Sequence, residues 1–122
     1  MNIELLTVKD AVIAVISGEE KRIRDTQSAL DLAMTVKYET GAEKIVLNKK
    51  AICEDFFILS TGMAGEILQK YTNYHVKMAV YGDFSHYTSQ PLKDFIYESN
   101  HGKDFFFFAT KEEAIQHLAA IS

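Results

Sequence analysis

Residues 101–113, HGKDFFFFATKEE, decide the fold class of this chain. Successive side chains on a strand point to opposite faces, so the four phenylalanines at 105–108 place aromatic rings on both faces. Two buried faces are typical of a parallel strand that lies between layers of helices. The segment 110–113, Thr-Lys-Glu-Glu, has the pattern of a capping box at the start of a helix. We therefore predict a buried parallel strand followed by a last helix.

Strand and helix patterns alternate along the rest of the chain. Short apolar or β-branched runs predict strands at 3–8, 11–16, 44–47, 76–81 and 105–108. The first two runs, separated only by Lys9 and Asp10, predict a hairpin. Apolar residues at helical spacing predict a helix that is capped by Asp25 or Thr26 and ends at Gly41. Two more helices are expected, one beginning within 58–70 and one capped by Ser89.

This order of elements predicts an α/β fold. We expect an N-terminal β-hairpin followed by alternating helices and strands, which form a mostly parallel mixed sheet flanked by helices. The 122 residues correspond to one domain, 1–122, and the 48% of apolar and 25% of charged residues are ordinary values for a globular protein.

Charge and composition argue against several classes of function. A net charge of −4 does not favour nucleic acid, whose phosphates require a basic surface. Cys53 is the only cysteine, and the four histidines have no paired ligand spacing, so we expect neither a metal site nor a cofactor. The N-terminus lacks a basic segment that leads into an apolar run, and no run is long enough to span a bilayer. We therefore expect a cytoplasmic protein that does not bind membranes.

The candidate site lies at the carboxyl edge of the predicted sheet, where the loops after parallel strands converge. Three loops there, 24–26, 60–62 and 82–85, place hydroxyl or carboxylate groups beside a helix start. The candidate partner-binding or ligand-binding residues are Asp25, Thr61, Gly62, Glu66, Asp83, Ser85 and Tyr87.

Two local motifs partly match known phosphate-binding or catalytic motifs. Ser60-Thr61-Gly62 is not followed by the Gly-Lys-Ser/Thr of a phosphate-binding loop, and it lacks a glycine of the dinucleotide fingerprint. It is either a tight helix start or an anion site at a helix N-terminus. In GDFSHY, at 82–87, the side chains of Asp83, Ser85 and His86 are too close in sequence to form a nucleophile relay.

Two protein families resemble parts of this sequence. The segments TGMAGEILQK, at 61–70, and GDFS, at 82–85, closely resemble a bacterial family of unknown function, DUF family 4180. More distantly, IVLN at 45–48 and FFILSTG at 56–62 resemble the anti-sigma-factor antagonist (STAS) domains.

The STAS resemblance implies a STAS-like α/β fold and a small cytoplasmic switch protein. In such domains a partner kinase phosphorylates the first serine of an Asp-Ser-Ser/Thr-Gly turn, and the phosphate breaks the partner complex. Ser60 matches that serine, Thr61 the second hydroxyl and Gly62 the glycine, whereas Leu59 replaces the aspartate.

Three hypotheses of function follow. The first is a non-enzymatic regulatory module that binds a kinase-like or regulatory protein through 60–62 and 83–87, with Ser60 as the phosphorylation candidate. The second is a small-ligand binder or enzyme, and the third is a subunit of a homodimer. The pocket of the second hypothesis would lie among Asp25, Thr61, Glu66, Asp83 and Ser85.

Overall fold

The computed structural model describes residues 2–121. Its strands are β1 Ile3–Val8, β2 Ala11–Ile16, β3 Lys44–Asn48, β4 Lys77–Tyr81 and β5 Phe105–Phe108. Its helices are α1 Thr26–Thr40, α2 Met63–Asn73, α3 Gln90–Asn100 and α4 Lys111–Ala120. Between β3 and α2 the chain forms three 3₁₀ turns, Lys49–Ala51, Glu54–Phe57 and Leu59–Thr61.

The five strands form one mixed sheet in the order β1-β2-β3-β4-β5. The first pair is antiparallel and the other three pairs are parallel. Lys9 and Asp10, with φ of 53° and 70°, form the two-residue turn between β1 and β2, and positive φ at both positions matches the twist of a hairpin. The predicted hairpin and the mostly parallel sheet are confirmed.

The sequential strand order determines where the helices lie. Each right-handed crossover from β2 to β5 steps in the same direction, so α1, α2 and α3 share one face of the sheet, the three-helix face. The opposite face, the one-helix face, is covered by α4. Alternate residues of each strand enter the two cores: Ile45 and Met78 pack beneath the three helices, whereas Val46 and Ala79 pack against α4.

The phenylalanines of β5 divide between the two faces as the sequence predicted. Phe105 lies on the three-helix face, with ring centroids 5.7 Å from Phe56 and 6.0 Å from Tyr71. Phe106 lies on the one-helix face, 4.3 Å from the ring of His117. Both phenylalanines are buried, so helices cover both sides of the strand.

The outer edge of β5 is joined to α3 by one side chain. Asn100, the last residue of α3, donates from Nδ2 to the carbonyl of Phe107 at 3.1 Å. Its Oδ1 accepts from the N–H of Phe107 at 2.7 Å. The amide therefore takes the positions that a neighbouring strand would occupy, and it satisfies the outward backbone groups of that residue.

The start of α2 lies within the predicted stretch 58–70. The helix begins at Met63, and Ser60 and Thr61 belong to a separate 3₁₀ turn before it. Gly62 separates the two, since its φ of 81° lies in the left-handed region that interrupts a right-handed helix. The other helix starts follow the predicted caps, and the side chains of Asp25, Ser89 and Thr110 each accept a backbone N–H.

Candidate functional site

Three loop segments meet at the carboxyl edge of the parallel strands. The segment after β2 touches the segment after β3 through a parallel bridge between Ile23 and Ile52, and the N–H of Cys53 donates to the carbonyl of Ile23 at 2.9 Å. The segment after β3 touches the one after β4, because Lys49 Nζ donates to the carbonyl of Asp83 at 2.8 Å. The predicted convergence of these loops is therefore present.

The segment between β3 and α2 places apolar groups on both its inner and its outer side. Its 3₁₀ turns bury Phe56 and Phe57 in the core of the three-helix face. The next residue, Ile58, is turned outward with 51% of its surface exposed. Ser60, two residues later, is also exposed. One continuous apolar run thus supplies both the core and the surface.

Thr61 and Gly62 have local structural roles. Thr61 Oγ1 lies 2.8 Å from the carbonyl of Ile58 and 2.9 Å from that of Asp55, and it accepts from the N–H of Met63 at 3.3 Å. Gly62 supplies the left-handed residue that allows α2 to begin. These contacts account for two of the three residues in the turn and leave the Ser60 side chain directed to the surface.

Tyr87 forms one wall of an open cleft at this edge, with a volume of about 430 Å³. Its ring stacks on Phe57 at 5.1 Å, and Lys49 Nζ lies 4.7 Å from its centroid. Its hydroxyl donates to a carboxylate oxygen of Glu54 at 3.1 Å. Burial raises the pKa of Tyr87, and the charge of Glu54 and this hydrogen bond raise it further. Tyr87 is therefore a neutral, oriented donor at physiological pH.

We name this space the edge cleft. It is lined by Glu54, Phe57, Ile58, Leu59, Ser60, His86, Tyr87, Thr88, Ser89, Pro91 and Leu92. Phe57 and Leu92 are buried and form its apolar floor, whereas Ile58, Ser60 and Pro91 are exposed. Two predicted residues, Ser60 and Tyr87, therefore line the same cleft although they are far apart in sequence.

Asp83 and Ser85 form a turn outside the edge cleft. Asp83 Oδ1 accepts from both the N–H and the hydroxyl of Ser85, at 2.9 Å and 2.5 Å. These hydrogen bonds lower the pKa of Asp83, so its carboxylate stays ionised. The two residues line a separate apolar cleft of about 470 Å³, together with Phe84 and Phe107. The hydroxyl of Ser85 donates to a carboxylate and not to a histidine, so this turn lacks the geometry of an activated nucleophile.

Asp25 and Glu66 lie at the starts of the first two helices. Asp25 accepts from the N–H of Ser28 at 2.7 Å, and its pKa is lowered by the backbone and side-chain hydrogen bonds from Ser28. Glu66 accepts from the hydroxyl of Thr26 at 2.9 Å and so links α2 to α1. Neither residue lines the edge cleft. The five residues of the predicted small-ligand pocket are therefore spread over separate places along the edge.

The predicted site omitted several residues of this region, among them Lys49, Glu54 and Ile58. Lys49 follows a strand in a Lys-Lys pair, a pattern typical of a solvated turn. Its packing requires a glycine opposite, because a Cβ at Gly82 would lie 2.8 Å from Lys49 Cβ. Ile58 could have been identified from the sequence. It directly follows Phe56 and Phe57, and the short turn cannot bury all three of these apolar side chains.

The part of the chain that the structure describes holds neither a metal-ligand cluster nor a membrane-spanning helix. Residues 2–121 contain no group of three or more His, Cys, Asp or Glu side chains that could hold a metal ion. None of the helices within the same range is long and apolar enough to cross a membrane.

Comparisons with known proteins give a family and one structural likeness. No curated protein matches the chain. The structure is similar to that of an anti-sigma-factor antagonist (STAS) domain protein from Planctomyces limnophilus, with 14% identity and a TM-score of 0.37, over 97% of this chain and 98% of that chain. The family model described as "Domain of unknown function (DUF4180)" matches residues 8–118, and the chain therefore belongs to the DUF4180 family.

Proposed function

We propose that this protein is a protein-interaction module that binds a regulatory partner through the edge cleft. The observation that carries the proposal is the exposed side chain of Ile58 beside the stacked rings of Phe57 and Tyr87. A large apolar group at the surface, next to aromatic rings that are already ordered, is typical of the centre of an interface. Ordered rings also lose little conformational freedom on binding.

The shape of the edge cleft favours a protein partner over a small metabolite. Small-ligand sites enclose most of the surface of their ligand. Here Ile58, His86, Thr88 and Pro91 are exposed, so the edge cleft is open to solvent along its rim. Such a groove suits a side chain or an extended segment of another protein.

We further propose that phosphorylation of Ser60 releases the partner. Ser60 is exposed and lines the edge cleft, so a kinase-like partner could reach its hydroxyl. A phosphate there would fill part of the groove and place a bulky, strongly hydrated group beside Ile58, so an apolar side chain of the partner could no longer cover Ile58. The hydrogen bonds of Thr61 hold the turn, so the modification would change the edge cleft while the fold persists.

The test is co-purification of the tagged protein from its own host, with the captured proteins quantified by mass spectrometry. We expect a stoichiometric partner with the wild type, and at least a tenfold loss of that partner with Ile58→Ser. Tyr38→Ser is the matched control, because Tyr38 is 91% exposed on α1 and lies outside the edge cleft. Thermal unfolding checks that both variants fold. A partner that remains with Ile58→Ser, or no partner at all, would contradict the proposal.

A further inference from the structure

We propose that the occupant of the edge cleft is a basic and apolar segment of the partner: an arginine or lysine beside a large apolar residue. This inference rests on the proposed function and adds the chemistry of the partner. Three observations support it: the edge cleft contains a charged residue, the position of that charge is fixed, and the surface around it is apolar.

The edge cleft has one negatively charged lining residue. Glu54 is the only Asp, Glu, Lys or Arg among its lining residues. The hydroxyl of Tyr87 holds the Glu54 carboxylate at 3.1 Å, so the charge has a defined position. Asp55, the next residue, is exposed and adds a second negative charge nearby.

No cation of the described chain pairs with these carboxylates. Within residues 2–121, neither Glu54 nor Asp55 lies within 4.0 Å of a lysine, arginine or histidine nitrogen. Lys49 is engaged elsewhere, since its Nζ donates to the carbonyl of Asp83 and lies over the ring of Tyr87. Glu54 is exposed at the rim of the apolar groove, so a partner cation can reach it, and a partner that covers the groove would strengthen their attraction by excluding water.

The residues around Glu54 are largely apolar, so the partner segment must also present apolar groups. Phe57 and Leu92 provide a buried floor, and Ile58 and Pro91 provide exposed apolar walls. The aliphatic stem of an arginine or lysine can lie along such a surface while its charged end reaches the carboxylate. A neighbouring apolar side chain of the partner would cover Ile58. An acidic segment would instead place like charges together, which costs free energy.

The first experiment measures the preferred charge directly. Fluorescently labelled hexapeptide pools carry a fixed leucine, a neighbouring position fixed as Arg, Lys, Glu or Gln, and random residues elsewhere. We expect the Arg and Lys pools to bind at least fivefold more tightly than the Glu pool at low salt. Glu54→Gln should abolish that preference, whereas Glu112→Gln, an exposed position on α4, should keep it. Equal binding of all pools, or a preference that survives Glu54→Gln, would overturn the inference.

The second experiment uses the co-purified partner to separate the effect of charge at position 60 from the effect of side-chain volume there. Ser60→Glu and Ser60→Gln both fill the edge cleft, so the proposed function predicts that both weaken binding. For a basic occupant, Ser60→Glu should bind severalfold better than Ser60→Gln at low salt, because its charge attracts the cation, and this difference should vanish at high salt. If Ser60→Glu binds worse, the partner is acidic and the inference fails, while the proposed function stands.

Discussion

The two faces of the sheet are built from the same strands but are covered in different ways. Three helices and residues of all three 3₁₀ turns pack on one face, and its core includes Phe56, Phe57, Tyr71, Phe105 and Phe107. Among the described helices only α4 covers the other face, and the buried residues of this ten-residue helix are Ala114, Leu118 and Ala119. The strand order causes this asymmetry, because every crossover steps in the same direction.

The comparison shows why the edge cleft belongs to the three-helix face. Loops that lead into α2 and α3 must cross that side of the sheet, and they carry the aromatic rings that form the cleft wall. The order of the described strands never reverses between β2 and β5, so within residues 2–121 the sheet lacks the central crevice that doubly wound folds use for ligands. The candidate site is instead assembled from the loops themselves.

The largest expected effect tests the difference between the two cores. Phe105→Ala should lower the free energy of unfolding by about 3–5 kcal/mol, since it leaves a cavity in the three-helix face. Phe106→Ala should cost less. Phe105→Ala removes contacts with the rings of Phe56, Tyr71 and Phe107. Phe106 packs on the single ring of His117, and the short helix α4 can move to fill the gap that Phe106→Ala leaves. Urea denaturation measures both variants, and equal losses would show that the faces do not differ in this way.

A second prediction concerns the edge strand that both cores share. Asn100→Leu removes both hydrogen bonds to the backbone of Phe107 and should cost about 1–3 kcal/mol, since those groups lose their partners. The freed edge should also increase self-association, measured by light scattering at rising protein concentration. Asn73→Leu, at the exposed end of α2, is the control. An Asn100→Leu protein with wild-type stability and no self-association would refute the role of this amide.

The smallest expected effect is a pH dependence confined to the one-helix face. Burial lowers the pKa of His117, whose Nε2 is buried without a hydrogen-bond partner in the described chain. The folded state therefore binds fewer protons than the unfolded state, whose histidines have a pKa of about 6.5. Stability should fall as the pH drops below that value. Urea denaturation between pH 8 and 5 should show a shallower fall for His117→Leu, and an unchanged pH dependence would contradict this account.

Features that depend on neighbouring residues could be predicted from the sequence. The hairpin around Lys9 and Asp10 and the caps at Asp25, Ser89 and Thr110 need only local backbone and side-chain groups. The separate 3₁₀ turn before α2 was not predicted, because Thr61 bonds to the carbonyl of Asp55, six residues earlier, and this depends on how the 3₁₀ turns pack.

The candidate site was predicted as an edge of the sheet and as a set of loops, but not as particular contacts. Ser60 and Tyr87 both line the edge cleft, whereas Asp83 and Ser85 lie in a separate turn. Glu54 was missed because its significance depends on the hydroxyl of Tyr87, 33 residues later.

Apolar spacing, caps and the run of phenylalanines by themselves determined the α/β class, the strands and most helix starts, because these depend on periodicity and on hydrogen bonds between near neighbours. Only the tertiary structure decided which loops touch, which apolar residues stay exposed and which carboxylates have no cation among the described residues beside them. The physical reason is that Ile58, Glu54 and Tyr87 acquire their roles from distances between separate segments, and such distances exist only once the sheet is assembled.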